Sequence, residues 1–237
     1  KSVCLDQEWL KNDTILKFHG VDSAFDVWVN GEHAGYGKIS RLPSEFDITS
    51  YIKEGENDIT VRVYRWSDGT YLEDQDMWWM SGIYRDVELI NEPKQAVLDC
   101  QVGASLDDDM ETGLFSVDLT FKQSEARGSW MLSYEGEEVK TGTFETKEGT
   151  VHVQEKLPNV HRWTAETPHL YDLLVTLGDD TIRVRPGFRR IEIRDQQFLV
   201  NGQAILLNGA NHHDYDPEEG RTVSYEKVKE DLLLMKQ

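Results

Sequence analysis

The chain has 237 residues, 38% of them apolar and 10% aromatic, room for one to three domains at roughly 100–200 residues each. Its 25 Lys and Arg against 44 Asp and Glu give a net charge of −19, which repels phosphate backbones and excludes nucleic acid as a partner. No apolar run approaches the roughly 20 residues of a membrane-spanning helix, so no membrane partner is expected either.

The first 93 residues read as β-structure. Lys1–Leu5 has the pattern of the middle of a strand, so further chain is expected upstream of it. Cys4 and Cys100 are the only cysteines; they lie far apart, outside any CxxC spacing, and fit a reduced, cytoplasmic compartment with no disulfide framework. Ile15–Phe18, Phe25–Val29 and Ile59–Tyr64 are short runs rich in β-branched and aromatic residues. Turn signals separate them at Asn30-Gly31, at Gly55-Glu56-Asn57-Asp58 and at Ser67-Asp68-Gly69. Val27–Val29 and His33–Tyr36, joined through Asn30-Gly31-Glu32, form an expected hairpin. Together these predict an all-β sandwich or jelly roll.

Asn91-Glu92-Pro93-Lys94 marks a boundary, because proline ends a strand and polar residues follow. Alternation then predicts strands at 95–105, 114–122, 129–135, 150–156, 171–177 and 181–186. That spacing over about 90 residues suggests an immunoglobulin-like sandwich without its Cys…Trp…Cys signature.

The last fifty residues change character. Arg190–Ile193 and Gln197–Val200 flank a turn, and Asn201-Gly202 marks a second. Ala204–Gly209 is a continuous apolar run, expected to be a strand buried on both faces. A loop follows, and then Ser224 caps a predicted helix with Val228, Leu232 and Met235 at i, i+4 and i+7. Strand, loop and helix open an α/β unit. One such unit cannot bury its own strand, so more chain is expected beyond Gln237.

Three segments could carry chemistry. Tyr71–Met80 sets Glu73, Asp74 and Asp76 beside Trp78 and Trp79. Sugars are bound by this mixture, since carboxylates accept bonds from hydroxyls and rings cover C–H faces; a solvated acidic loop beside a core tryptophan reads equally well. Asn211–Asp216 directly follows the apolar run, where barrel enzymes gather their functional groups. It reads as pocket lining or as a plain loop, and His212 and His213 are poor co-ligands for a metal because adjacent side chains of extended backbone diverge. Asn91-Glu92-Pro93 matches a tripeptide that holds the acid/base glutamate in many barrel glycosidases, yet here it ends a sandwich strand and reads as a linker. The chain contains no GxSxG, P-loop, GxGxxG or HExxH.

Taken together, several segments resemble the large bacterial β-galactosidases of glycoside hydrolase family 2. Gly20–Phe25, Trp28–Gly31, Gly35–Gly37 and Ser40–Asp47 are similar to that family's sugar-binding domain. Arg65–Gly69, Tyr71–Met77 and Ser81–Val87 are close to a fingerprint, and the Glu73–Met77 loop is not general among the related β-glucuronidases. Trp163–Tyr171 resembles the end of the sandwich domain, and Gly187–Arg189, Leu206–His213 and Leu232–Gln237 resemble the entry to the catalytic barrel.

The resemblance implies a mainly β chain: a partial jelly-roll sugar-binding domain at 1–93, an immunoglobulin-like β-sandwich at 94–187, and the first β/α unit of a truncated (β/α)8 TIM barrel at 188–237. It implies a parent that hydrolyses β-D-galactosides with retention, assembles as a homo-oligomer and uses magnesium and sodium. It places Asp76 on the galactosyl unit and a sodium ion, and His213 on the sugar. Asp68 matches a ligand of a second, structural magnesium, but Lys38 stands where a partner glutamine is usual. Trp79 and His212 stand where arginine is common, and Asp214 replaces a glutamate. Both catalytic glutamates are expected beyond Gln237, so this chain alone is expected to be inactive. Competing readings are a free-standing carbohydrate-binding module, a β-glucuronidase or β-mannosidase piece, and a purely structural sandwich.

Overall fold

A computed structural model describes residues 1–178 and 180–237. They form two compact units, Lys1–Glu92 with Ala210–Gln237, and Pro93–Gly209. The expected barrel segment at 188–237 is thus shared between the two. Among the described residues no helix is long and apolar enough to cross a membrane.

In the first unit the strands are β1 (Ser2–Leu5), β2 (Asp13–Phe18), β3 (Val21–Asp22), β4 (Ala24–Val29), β5 (Glu32–Gly37), β6 (Ser44–Asp47), β7 (Gly55–Tyr64), β8 (Gly82–Ile83) and β9 (Val87–Glu92), with a short helix α1 (Gly69–Leu72) before β8. They form antiparallel sheets of order β1-β7-β4-β5 and β6-β2-β9 and a small ribbon β3-β8. Alternation sets the core: Thr14, Leu16 and Phe18 of β2 point inward, as do Phe25, Val27 and Val29 of β4. Phe18 and Phe25, from opposite sheets, meet at 4.9 Å between ring centres, and Phe46 packs edge-on against Phe25 at 5.7 Å. The expected β4–β5 hairpin is present. Asn30 and Gly31 both take positive φ (52° and 86°), and Val29 pairs with Glu32, the left-handed two-residue turn that suits strand twist.

The second unit holds β10 (Val97–Leu106), β11 (Gly113–Phe121), β12 (Ala126–Tyr134), β13 (Glu137–Thr146), β14 (Thr150–Leu157), β15 (Asp172–Leu177), β16 (Asp180–Val184), β17 (Ile191–Arg194), β18 (Gln197–Val200) and β19 (Gln203–Ala204). Two antiparallel sheets, β10-β11-β14 and β13-β12-β15-β16, form the immunoglobulin-like sandwich. Phe115, Val117, Leu119 and Phe121 of β11 and Leu173, Val175 and Leu177 of β15 fill its core. Strands β17-β18-β19 make a separate three-stranded sheet.

The structure corrects the sequence reading in three places. Strand β13 was not expected because only Phe144 of its ten residues is buried; an edge strand with polar side chains on its open face lacks the apolar alternation. The turn expected at Gly55–Asp58 is the start of β7, paired with β1 from Leu5↔Gly55 to Ser2↔Asp58. Asn57 permits this by closing the turn just before it: its Oδ1 accepts from the Lys53 amide at 2.8 Å, and its Nδ2 donates to the Lys53 carbonyl at 2.7 Å. The strand expected over 204–209 is absent beyond β19. Leu206 and Leu207 are 88% and 81% exposed, because no parallel neighbour among the described residues satisfies that backbone. The helix that follows, α2 (Tyr225–Lys236), is capped by Ser224 Oγ, which accepts from the Lys227 amide at 3.3 Å.

Candidate functional site

Within the first unit, the turn after β8, the loop after α1 and the segment 212–228 enclose a cleft of about 620 Å³. Gln75 and Met77 line it from the acidic loop, Tyr84, Arg85 and Asp86 from the β8–β9 turn, and His212, His213 and Asp214 from the later segment. The lining mixes rings, guanidinium groups and imidazoles, as a polar ligand requires.

Local bonds hold each wall. Asp68 caps α1, its Oδ1 accepting from the Gly69 amide at 3.0 Å. Beyond the helix, Glu73 turns back: its Oε2 accepts from the Ser40 amide at 3.3 Å and lies 3.8 Å from Arg41 Nη1. Arg41 also donates to the Glu73 carbonyl and reaches Met77 Sδ, both at 3.4 Å. The Tyr84 hydroxyl donates to the Ser40 carbonyl at 2.7 Å, and Arg85 to the Arg41 carbonyl at 3.0 Å. The acidic loop is therefore fastened by Glu73, while Asp74 and Asp76 are exposed.

The segment carrying His212 and His213 is anchored by Arg221. Its Nη1 donates to Asp22 Oδ2 and to the Met80 carbonyl, both at 2.7 Å, and its guanidinium lies 4.1 Å from the Tyr84 ring centre. The pair is buried, with side-chain exposures of 7% for Arg221 and 1% for Asp22. Asp22 Oδ1 is buried with no hydrogen-bond partner. Trp78 and Tyr215 meet at 5.1 Å between ring centres, a second tie between the two loops. Trp79 stacks on Trp66 at 6.0 Å and 4° between planes, so the ring at this arginine-like position serves packing.

The residues singled out from sequence fare unequally. His213 lines the cleft. Asp76 does not, although its neighbours Gln75 and Met77 do. Glu92 ends β9, opposite Asp13 of β2, away from the cleft. Sequence reasoning gave no site role to Arg41 and Arg85, although both lie in the family-like segments Ser40–Asp47 and Ser81–Val87, and it missed Arg221, whose partner lies 199 positions away in sequence.

Two positions bear on metal ions. Asp68 Oδ2 accepts from Lys38 Nζ at 2.7 Å. That bond, then the Gly69 amide, holds the Asp68 carboxyl below the usual carboxylate range, and the same bond raises Lys38. A carboxylate that already carries an ammonium does not fit a divalent ion. Asp76 offers two oxygens, and no group of three or more His, Cys, Asp or Glu side chains among the described residues is arranged to hold a metal.

Three family models match along the chain: "Glycosyl hydrolases family 2, sugar binding domain" at residues 1–93, "Glycosyl hydrolases family 2" at 95–189, and "Glycosyl hydrolases family 2, TIM barrel domain" at 191–237. The chain is 40% identical over 240 residues to a β-galactosidase of Alteromonas mediterranea, matching 94% of this chain and 23% of that protein. It is 39% identical over 249 residues to one of Priestia megaterium, 97% of this chain and 24% of that protein. It thus spans about a quarter of the length of these curated relatives. Among solved structures it resembles a β-glucuronidase of Lactobacillus rhamnosus (TM-score 0.84, 24% identity, all of this chain and 42% of that one). It also resembles β-glucuronidase 3 of Bacteroides uniformis (TM-score 0.86, 21% identity, all of this chain and 32% of that one). At those identities the structural likeness speaks to the fold alone.

Proposed function

Because this chain belongs to family 2 of the glycosyl hydrolases, we propose that the whole enzyme hydrolyses terminal β-D-galactosides such as lactose with retention, and that this chain supplies scaffold and pocket-lining groups. The observation that carries the reading is identity near 40% along almost the whole chain to proteins named β-galactosidase. Likeness to β-glucuronidases is at the level of fold and does not bear on the sugar.

Retaining hydrolysis needs two carboxyl groups about 5–5.5 Å apart, one protonating the leaving oxygen and one forming the glycosyl-enzyme. The acids lining the cleft are Asp86 and Asp214, and Asp214 already faces the His212 ring at 3.4 Å. We assign both catalytic carboxylates to sequence outside this chain. Asp76 and His213 are then positioning groups whose value lies in the geometry they impose on the sugar. Asp76 would hold a sodium ion only with ligands from elsewhere; that ion would orient a sugar hydroxyl and offset its charge. No magnesium is assigned to Asp68.

The test is turnover of aryl β-D-galactoside, β-D-glucuronide and β-D-mannoside by the full-length enzyme and by the 237-residue chain. The galactoside should be preferred by the full enzyme, and the chain alone should release nothing. Preference for another glycoside would overturn the substrate. Turnover by the chain alone that is lost in Glu92→Gln would overturn the assignment of catalysis elsewhere.

A further inference from the structure

The stretch 68–76 carries four carboxylates, Asp68, Glu73, Asp74 and Asp76, and no basic residue. Acids spaced that closely repel one another, so a compact turn through them needs positive charge from another part of the chain or from a bound ion. The segment leaving β5 supplies it. Lys38 follows directly on the last residue of β5, and its Nζ donates to Asp68 Oδ2 at 2.7 Å. Three residues on, Arg41 Nη1 lies 3.8 Å from Glu73 Oε2 and donates to the Glu73 carbonyl at 3.4 Å. Helix α1 is thus held at both ends, at its N-cap Asp68 by an ammonium and at its C-cap Glu73 by a guanidinium.

Both oxygens of Asp68 are in use, Oδ1 by the Gly69 amide at 3.0 Å and Oδ2 by Lys38. The bond to Asp68, and after it the charges of Asp68, Tyr36 and Glu73, raise the Lys38 pKa, so the side chain stays charged. Resemblance to the family's β-galactosidases implies a structural magnesium at Asp68, and the geometry disagrees. An ammonium and a divalent ion cannot share Oδ2, because their positive charges would repel at contact distance. A metal stabilises a fold only to the extent that its concentration keeps it bound. An ammonium carried on the chain is always present.

We infer that Lys38 is a resident cation in the place of a structural divalent ion: its ammonium neutralises Asp68 and ties α1 to the end of β5, so that the base of the acidic loop keeps its fold without divalent metal. Gln75 and Met77, which line the cleft, follow directly on that base. Their bearing on a galactoside rests on the function proposed above; the cross-link itself does not.

Amide hydrogen exchange on the 237-residue chain tests this without substrate. The reporters are the amides of Thr70, Tyr71, Leu72 and Glu73, which bond to Ser67, Asp68 and Gly69 carbonyls. Wild type should protect them equally in millimolar magnesium and in excess EDTA. Lys38→Met keeps an apolar stem and loses the charge. Lys38 and Asp68 are about half exposed, at 51% and 56%, so in EDTA this change should lower protection by about two- to fivefold, the range of exposed ion pairs. Lys38→Arg should restore it. Molar sodium chloride should narrow the gap between wild type and Lys38→Met, since salt screens the pair. Protection in β4 and β11 should be the same in all chains, as a check on folding. Wild-type protection at least twofold higher in magnesium than in EDTA, or a Lys38→Met chain protected like wild type, overturns the inference. A whole enzyme that prefers another glycoside would overturn the proposed substrate and leave the cross-link standing.

Discussion

Replacing Arg221 by alanine strands the Asp22 carboxylate in a site where it is 1% exposed and where Oδ1 already lacks a partner. Breaking a buried ion pair by removing one member costs about 3–5 kcal/mol, because the remaining charge is left without compensation. A second route sets a ceiling, since the stranded carboxylate can take up a proton instead. Neutralising an ordinary carboxylate costs about 1.4 kcal/mol for each pH unit above about 3.9, hence about 4 kcal/mol at pH 7 and about 1.5 kcal/mol at pH 5. Loss of the bond to the Met80 carbonyl and of the ring contact with Tyr84 adds roughly 1–2 kcal/mol at either pH. The sign follows from proton uptake. The folded variant binds a proton that its unfolded chain does not, so its deficit against wild type shrinks as pH falls from 7 to 5. Because the pair joins β3 to the segment before α2, the loss should be seen first as undocking of 210–237. Urea unfolding at pH 7 and pH 5, read beside hydrogen exchange in α2 and in β4, measures both. A deficit below about 1 kcal/mol at pH 7, or one that grows toward pH 5, would refute the account, as would unchanged exchange in α2.

Other expectations are independent of this one. Magnesium should leave the resonances of 67–70 unmoved in the wild-type chain, where Lys38 Nζ occupies Asp68, and should shift them in Lys38→Gln. Asp109 accepts from the Thr112 hydroxyl at 2.6 Å and from the amides of Thr112 and Glu111, which lowers its pKa to about 2. Its support of the 107–112 turn should therefore be intact above about pH 4 and fade as pH falls toward 2, seen as a carboxyl carbon titrating at that low value; a midpoint near 4 would count against it. Gly128→Ala would drive a Cβ into the Thr176 carbonyl oxygen and to 2.6 Å from the Phe144 ring. It should destabilise the second unit by about 1–3 kcal/mol in urea while leaving exchange in β4 unaltered.

The sandwich strands were legible wherever one face is buried. In β2, β11 and β15 every second side chain enters a core, and a two-residue period is a signal any reader of the sequence can find. The Asn30-Gly31 turn was legible for a different reason, because positive φ at both positions selects those residue types. Strand β13 was not, since an edge strand needs backbone partners more than apolar side chains. The run Ala204–Gly209 shows the converse: apolar composition predicts burial, and burial depends on neighbours that the described residues do not contain.

The candidate site divides along the same line. Chemistry that resides in a residue type at a local spacing was visible in the sequence, and it drew attention to the acidic loop and to the two adjacent histidines. The fold then decided which of these groups are free to act. Glu73 is consumed in tying its loop to Ser40 and Arg41, and Asp68 is neutralised by Lys38. His212 faces two acids and His213 faces the cleft. Arg221 was invisible beforehand, because its value lies wholly in a burial and a partner that 199 residues of intervening chain bring together. Sequence periodicity reports which way a side chain points along its own strand; only tertiary structure reports what it meets there, since the free energy of a charge is set by its neighbours and its distance from water.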